Sequence, residues 1–341
     1  MYTSRVDPRS APRTPTTKRV QRLLAPPDDI LQSGVALYGS FVGTESTLGD
    51  RNQTVVFSGP GASILSGVFD ERGAGAAGRK SKAAGGTVHA YHVVQAAHGA
   101  TLNGFRVVGG VANGAGLDGL GGGLVALDGA AMKVQHCLFS ANSARHGGAL
   151  AAFVYASPHL ENVEFDSNVA TGDAFSGGAG GAVHLADGSN ATVTECIFRN
   201  NRAGRRGGAL YADYGASPRV DGSRFEENYS GGNGGALYAN DRASQIGKTK
   251  MVVTRSTFVA NEAAVRGGAA MVYNGAQGTF TACVFAANAA GDKGGAVSNA
   301  LRVYTDHERL HTCVARHRPC RHPRAASLQR ARTGGVARAS Y

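Results

Sequence analysis

Apolar and polar positions between residues 134 and 297 follow one template, repeated six times. Phe139, Phe165, Phe198, Phe225, Phe258 and Phe285 are each followed three residues later by an asparagine: Asn142, Asn168, Asn201, Asn228, Asn261 and Asn288. A Gly-Gly-Ala block comes next, beginning at Gly147, Gly180, Gly207, Gly234, Gly267 and Gly294. Five residues before each Phe stands an apolar residue (Val134, Leu160, Val193, Val220, Val253, Phe280), and two before it a small one (Cys137, Val163, Cys196, Ser223, Ser256, Cys283). After Gly-Gly-Ala come Leu150, Val183, Leu210, Leu237, Ala270 and Val297. The frame measures about 27 residues, and two intervals, at 169–179 and 239–250, are six residues longer. Insertions confined to two places in an otherwise constant frame read as surface loops on a repeat array.

Short β-branched and aromatic runs broken by glycine predict strands, and no helix-period pattern competes with them. Each unit then holds two or three strands with bends between. The economical all-β arrangement is a parallel β-helix, a solenoid of roughly eight to ten coils in which every coil hydrogen-bonds to the next. Its inward columns stack, Phe on Phe and Leu on Val, at roughly 4.8 Å per coil. An asparagine at one fixed bend suits an amide ladder, because Asn tolerates the left-handed conformation and can bond the Asn above and below. The Gly-Gly pair suits a bend where positive φ or close packing excludes a Cβ.

The alternation of Gly-Gly-Ala-(Leu/Val) with Phe-x-x-Asn resembles the repeats of the polymorphic outer membrane proteins and related bacterial right-handed parallel β-helix proteins. Residues 33–45, with Arg51 and Asn52, look like the entry coils of such proteins, and 91–94 with 102–105 look like the coil before the regular array. The resemblance covers about 30–301. It implies a right-handed coil and an exported protein at the extracellular or outer-membrane surface: a non-enzymatic scaffold or adhesin, as a fragment of something larger. Its partners would be surface glycans or host and neighbour proteins. The competing class of the same shape is a carbohydrate-active enzyme, a polysaccharide lyase or hydrolase, or a glycan-binding module. Two features depart from the family: no signal sequence is visible, and nothing after 301 resembles a membrane barrel or sorting anchor.

Composition changes this picture mainly at the ends. The 341 residues carry a net charge of +11, but 1–29 and 302–341 supply +10 of it, while 48 of the 50 glycines lie in 30–301. A nearly neutral glycine-rich body between basic ends argues against nucleic acid as a partner, since a binding domain carries its charge on its folded face. No apolar run of 18 residues exists to span a bilayer. The Pro-rich segment 1–29 is expected to be disordered or misread, without a signal-peptide-length apolar stretch. For 302–341, rich in Arg, His and Pro, three readings stand: a basic arm, an unfolded extension, or a lost reading frame. Without caps, both ends of the solenoid would expose unpaired strand edges.

Candidate chemistry is sparse. Cys137, Cys196 and Cys283 share a column, two and three coils apart, roughly 10 and 14 Å, which is too far for a disulfide and suits buried free thiols. Cys313 and Cys320, near His311, His317 and His322, lack standard zinc spacing. His89 and His92 are three apart on an expected strand and point to opposite faces. The glycine run 119–123 lacks the context of a phosphate loop. No metal, cofactor or catalytic set is therefore expected. Asp166 and Glu226 share a column two coils apart with Arg199 between them, and Glu161 and Asp221 share another. Paired acids in adjacent coils, as a sugar hydrolase needs, do not occur there. One outward column holds His184, Tyr211 and Tyr238 in successive coils, expected as an exposed ring stripe. Such a stripe is either an ordinary strand-pairing ladder or a platform for glycans or a protein partner.

Overall fold

The fixed apolar positions and glycines divide each repeat into four short strands. In the turn beginning at Lys133 these are Lys133–Gln135, Leu138–Ser140, Ser143–Ala144 and Leu150–Ala152. Corresponding strands of successive turns pair in parallel and form sheets I, II, III and IV of nine, nine, nine and eight strands, the ninth of sheet III, Arg318–Pro319, being added antiparallel. A computed structural model describes residues 88–172, 178–241 and 247–298 without a break, with short stretches between 32 and 82 and short strands between 302 and 319. Segment 1–29 lies outside the described residues, as does 302–341 apart from the backbone of those strands. The chain is thus an all-β parallel solenoid, with about six regular turns of about 30 residues. That is fewer and longer than eight to ten coils of 27. The two lengthened turns raise the average, and less regular strand pairs flank the array.

Each turn has four strands rather than the expected two or three, and the one that carries little apolar signal belongs to sheet III. Its strands are two residues long, such as Ser143–Ala144, Arg202–Ala203 and Tyr229–Ser230, with a small residue facing inward each time.

Register follows the template. Val134, Leu160, Val193, Val220, Val253 and Phe280 are direct neighbours down sheet I, and the six template phenylalanines down sheet II. From Phe165 to Phe285 the rings lie nearly parallel, with centroids 4.7 to 4.9 Å apart. That equals the spacing of neighbouring strands, so stacking costs no distortion and adds about 0.5–1.5 kcal/mol per pair beyond burial.

The asparagines line the II–III bend, all buried. From Asn168 to Asn261 each amide accepts from the backbone N–H and side-chain NH2 of the Asn one turn earlier, and donates to the next Asn. Asn228 Nδ2 gives 2.9 Å to Asn261 Oδ1 and 2.9 Å to the Phe198 carbonyl, while its Oδ1 takes 3.1 Å and 3.0 Å bonds from Asn201. Contrary to expectation, the asparagines are not the left-handed residues. That conformation falls one position earlier, on Ala141, Ser167, Asn200, Glu227, Ala260 and Ala287, with φ of 53° to 56°. The Asn side chains themselves are buried, where they join the ladder.

The two glycines of each pair answer different demands. Gly207 has φ +60°, and a Cβ on Gly208 would sit 2.0 Å from the Gly235 carbonyl of the next turn.

Candidate functional site

The outer face of sheet IV is where the side chains gather. Its strands Leu150–Ala152, Val183–Leu185, Leu210–Ala212 and Leu237–Asn240 alternate inward Leu or Val with outward Ala151, His184, Tyr211 and Tyr238. The rings of His184 and Tyr211 are 4.8 Å apart and tilted, and those of Tyr211 and Tyr238 are 5.5 Å apart and stacked. The column is not exposed: His184 keeps 6%, Tyr211 2% and Tyr238 3% of their surface. The sequence pattern missed what flanks the column. On one side the residue before each Gly-Gly forms its own bridge ladder (Leu120, His146, Ala179, Arg206, Asn233, Arg266). On the other, residues just past each sheet IV strand, among them Phe153 and Asp213, rise beside the rings. A flat sugar platform needs an open ring face, and at 2 to 6% exposure these rings offer little of one.

Within this covered layer three polar groups interlock. The Tyr211 hydroxyl donates to Asp213 Oδ2 at 2.7 Å, and His184 Nε2 lies 3.2 Å from Asp213 Oδ1. A carboxylate only accepts, so Nε2 carries the proton of this contact. The other ring nitrogen, Nδ1, is buried with no hydrogen-bond partner. A general base must reach the proton it abstracts, and Nδ1 is sealed. Asp187, nearby, has its carboxyl pushed above the usual range by burial and then by the Asp213 charge, with His184 opposing. A pocket of about 300 Å³ opens over this group, with Phe153, Ala179, Arg205, Arg206 and Tyr214 among its lining.

Carboxylates on the outer face of sheet II sit where the columns put them. Asp166, Arg199 and Glu226 are successive neighbours, as are Glu161, Thr194 and Asp221 in sheet I. The unexpected member is Glu164, alone in its column and two residues before Asp166. It is buried and bonded to the Arg199 guanidinium, whose same nitrogen lies 3.4 Å from Asp166. Burial pushes the Glu164 carboxyl up, and Arg199 pulls it partly back. Glu226 pairs with Arg224, and Asp221 with Arg255 and with Thr254 Oγ1 at 2.6 Å.

Cys137, Cys196 and Cys283 are free and buried, and burial raises the first two thiols to about 12. Cys313, Cys320, His317 and His322 lie outside the described residues, as does the His311 side chain. His89 ends in a small antiparallel sheet, with Nδ1 2.9 Å from the Gly109 carbonyl, while His92 reaches that of Gly121 at 3.0 Å. Among the described residues no group of three or more His, Cys, Asp and Glu could hold a metal, and no helix is long and apolar enough to cross a membrane.

Parallel sheets coiled over a stacked ring core define a right-handed parallel β-helix protein, the hand that parallel crossovers take. The description right-handed beta helix region matches residues 122–306, more than half of the chain, and the chain belongs to that family. No curated protein matches it, and no solved structure does. The family holds both enzymes and non-enzymes.

Proposed function

We propose that the chain is a non-enzymatic scaffold of the polymorphic outer membrane type, displayed at the extracellular or outer-membrane surface, adhesin-like, and working through its outer faces. Its partners on this reading are surface glycans or neighbouring proteins. The observation that carries it is the state of the outward carboxylates. Each acid of the Phe-flanking columns is held by an arginine, and none stacks on another acid in the adjacent turn. A hydrolase needs two acids free to work as a pair at 5–9.5 Å. The ring and amide ladders meanwhile give an elongated rod rigid enough to present a surface. Purified protein incubated with uronic-acid and neutral polysaccharides should release neither new reducing ends nor unsaturated products.

The second reading, a carbohydrate-active enzyme, is favoured by Glu164. It is a buried carboxyl with a raised proton affinity beside Asp166 on one strand face, which is how acid and base roles are separated. Product release that Glu164→Gln abolishes, with the circular dichroism spectrum unchanged, would replace the scaffold proposal with this one.

A further inference from the structure

The pocket on sheet IV is a one-turn notch. The turn bearing His184 places alanine in both flanking columns, Ala179 in the bridge ladder and Ala186 past the strand. The turn before carries His146 and Phe153 there, and the turn after carries Arg206 and Asp213. Two small residues between two large pairs leave about 300 Å³ open above His184. That is the lower end of small-ligand sites. The walls are mostly apolar, from Leu120, Phe153, Ala179 and the rings of Tyr211 and Tyr214, and Arg205 and Arg206 also line the notch. Neither guanidinium forms an ion pair among the described residues. The one acid lining the notch, Asp213, is already occupied by Tyr211 and His184. Burial, and then the Asp213 charge, raise the proton affinity of Asp187 beside it.

A second observation falls on the same rim. Five turns that leave sheet IV share a two-residue bend with both φ angles positive: Asp128-Gly129, Val154-Tyr155, Asp187-Gly188, Tyr214-Gly215 and Asn274-Gly275. Four end in glycine, as such a bend favours. The exception puts a β-branched valine at φ 52° and a tyrosine at φ 61°, and leaves them 41% and 58% exposed, directly after Phe153. Strain of this kind concentrates at ligand clamps.

We propose that the notch binds a small organic anion, an apolar ring seated against Phe153 and Tyr214 with an oxyanion head held by Arg205 and Arg206. Two neighbouring guanidiniums suit a carboxylate or sulfate head, which they grip by charge-assisted hydrogen bonds. The site goes beyond the scaffold reading and is independent of whether the rod catalyses anything.

The test is a ligand-observed NMR titration of the full chain with benzoate and benzyl alcohol, with inorganic sulfate read by its displacement of benzoate. Benzoate should bind with a Kd of about 1 mM, the range expected for so few atoms, and at least tenfold tighter than either of the others. Arg205→Gln with Arg206→Gln should weaken benzoate at least tenfold and leave the melting temperature unchanged, since neither side chain is in the core. Ala179→Leu should block benzoate by filling the notch while keeping both charges. The proposal fails if no probe binds, if benzyl alcohol or sulfate equals benzoate, or if the double variant keeps its affinity.

Discussion

The amide ladder predicts a large local cost for a small change at Asn228, which is completely buried. Asn228→Ala deletes four hydrogen bonds. Two donors of Asn201, its backbone N–H and one Nδ2 proton, lose their acceptor in a site closed to water. The Asn261 carbonyl keeps its bond from the Asn228 backbone N–H at 3.1 Å. An orphaned buried donor costs about 1–3 kcal/mol, so two cost about 2–6 kcal/mol. That is a large share of the about 5–15 kcal/mol that holds a domain together. In urea denaturation followed by far-UV circular dichroism, with a slope near 3 kcal/mol/M, the midpoint should fall by about 1 M. Asn228→Asp should be worse, because an oxygen that cannot donate would face the Phe198 carbonyl and Asn261 Oδ1. Amide exchange at Asn201 should accelerate in both variants. A midpoint within about 0.3 M of the parent for Asn228→Ala would refute the reasoning and mean that the ladder adds nothing net to the coil.

Other outcomes follow from single features. Val154→Asn with Tyr155→Gly restores the residue types of the equivalent turns and should raise the melting temperature by about 2–4 °C per kcal/mol of strain removed, read by calorimetry. Cys137, Cys196 and Cys283 should resist a thiol reagent at pH 8 in the folded protein and react once it is unfolded in urea; prompt native labelling would contradict their burial. The Cys137 and Cys196 thiols are raised on folding to about 12. Between pH 9 and 12 the unfolded state therefore holds fewer protons, and stability should fall as pH rises through that window. A urea midpoint constant from pH 9 to 11 would contradict this. Tyr211→Phe removes the 2.7 Å donor to buried Asp213 and should cost about 1–3 kcal/mol, whereas loss of the exposed Tyr155 ring in Tyr155→Gly should cost nothing.

Much of the coil was legible because its signals are local and repeat. A Phe that returns every turn must meet its copies, and small residues two positions before it mark where the bend is tight. Glycine pairs announced a backbone that excludes Cβ, and the column assignments of Asp166, Arg199 and Glu226 hold residue for residue. Sheet III was invisible because two-residue strands of Ala and Ser have no apolar period. The left-handed position was misplaced by one residue, since Ala, Ser and Glu carry no mark of positive φ.

The candidate site was only half legible. Alternation along sheet IV sends His184, Tyr211 and Tyr238 outward, but an outward side chain is not necessarily an exposed one. Exposure depends on neighbours two and five residues away in sequence that the bends swing beside the strand, and on turns 26 to 33 residues away. The ion pair of Glu164 with Arg199 is likewise a contact between turns. By itself the sequence determined the class of fold, the strand register and the identity of the core, because those depend on a period that each repeat restates. Only the tertiary structure decided which outward side chains are covered and where two alanines open a notch between larger neighbours. Those outcomes depend on the sizes of residues in adjacent turns, and a repeat pattern averages such differences away.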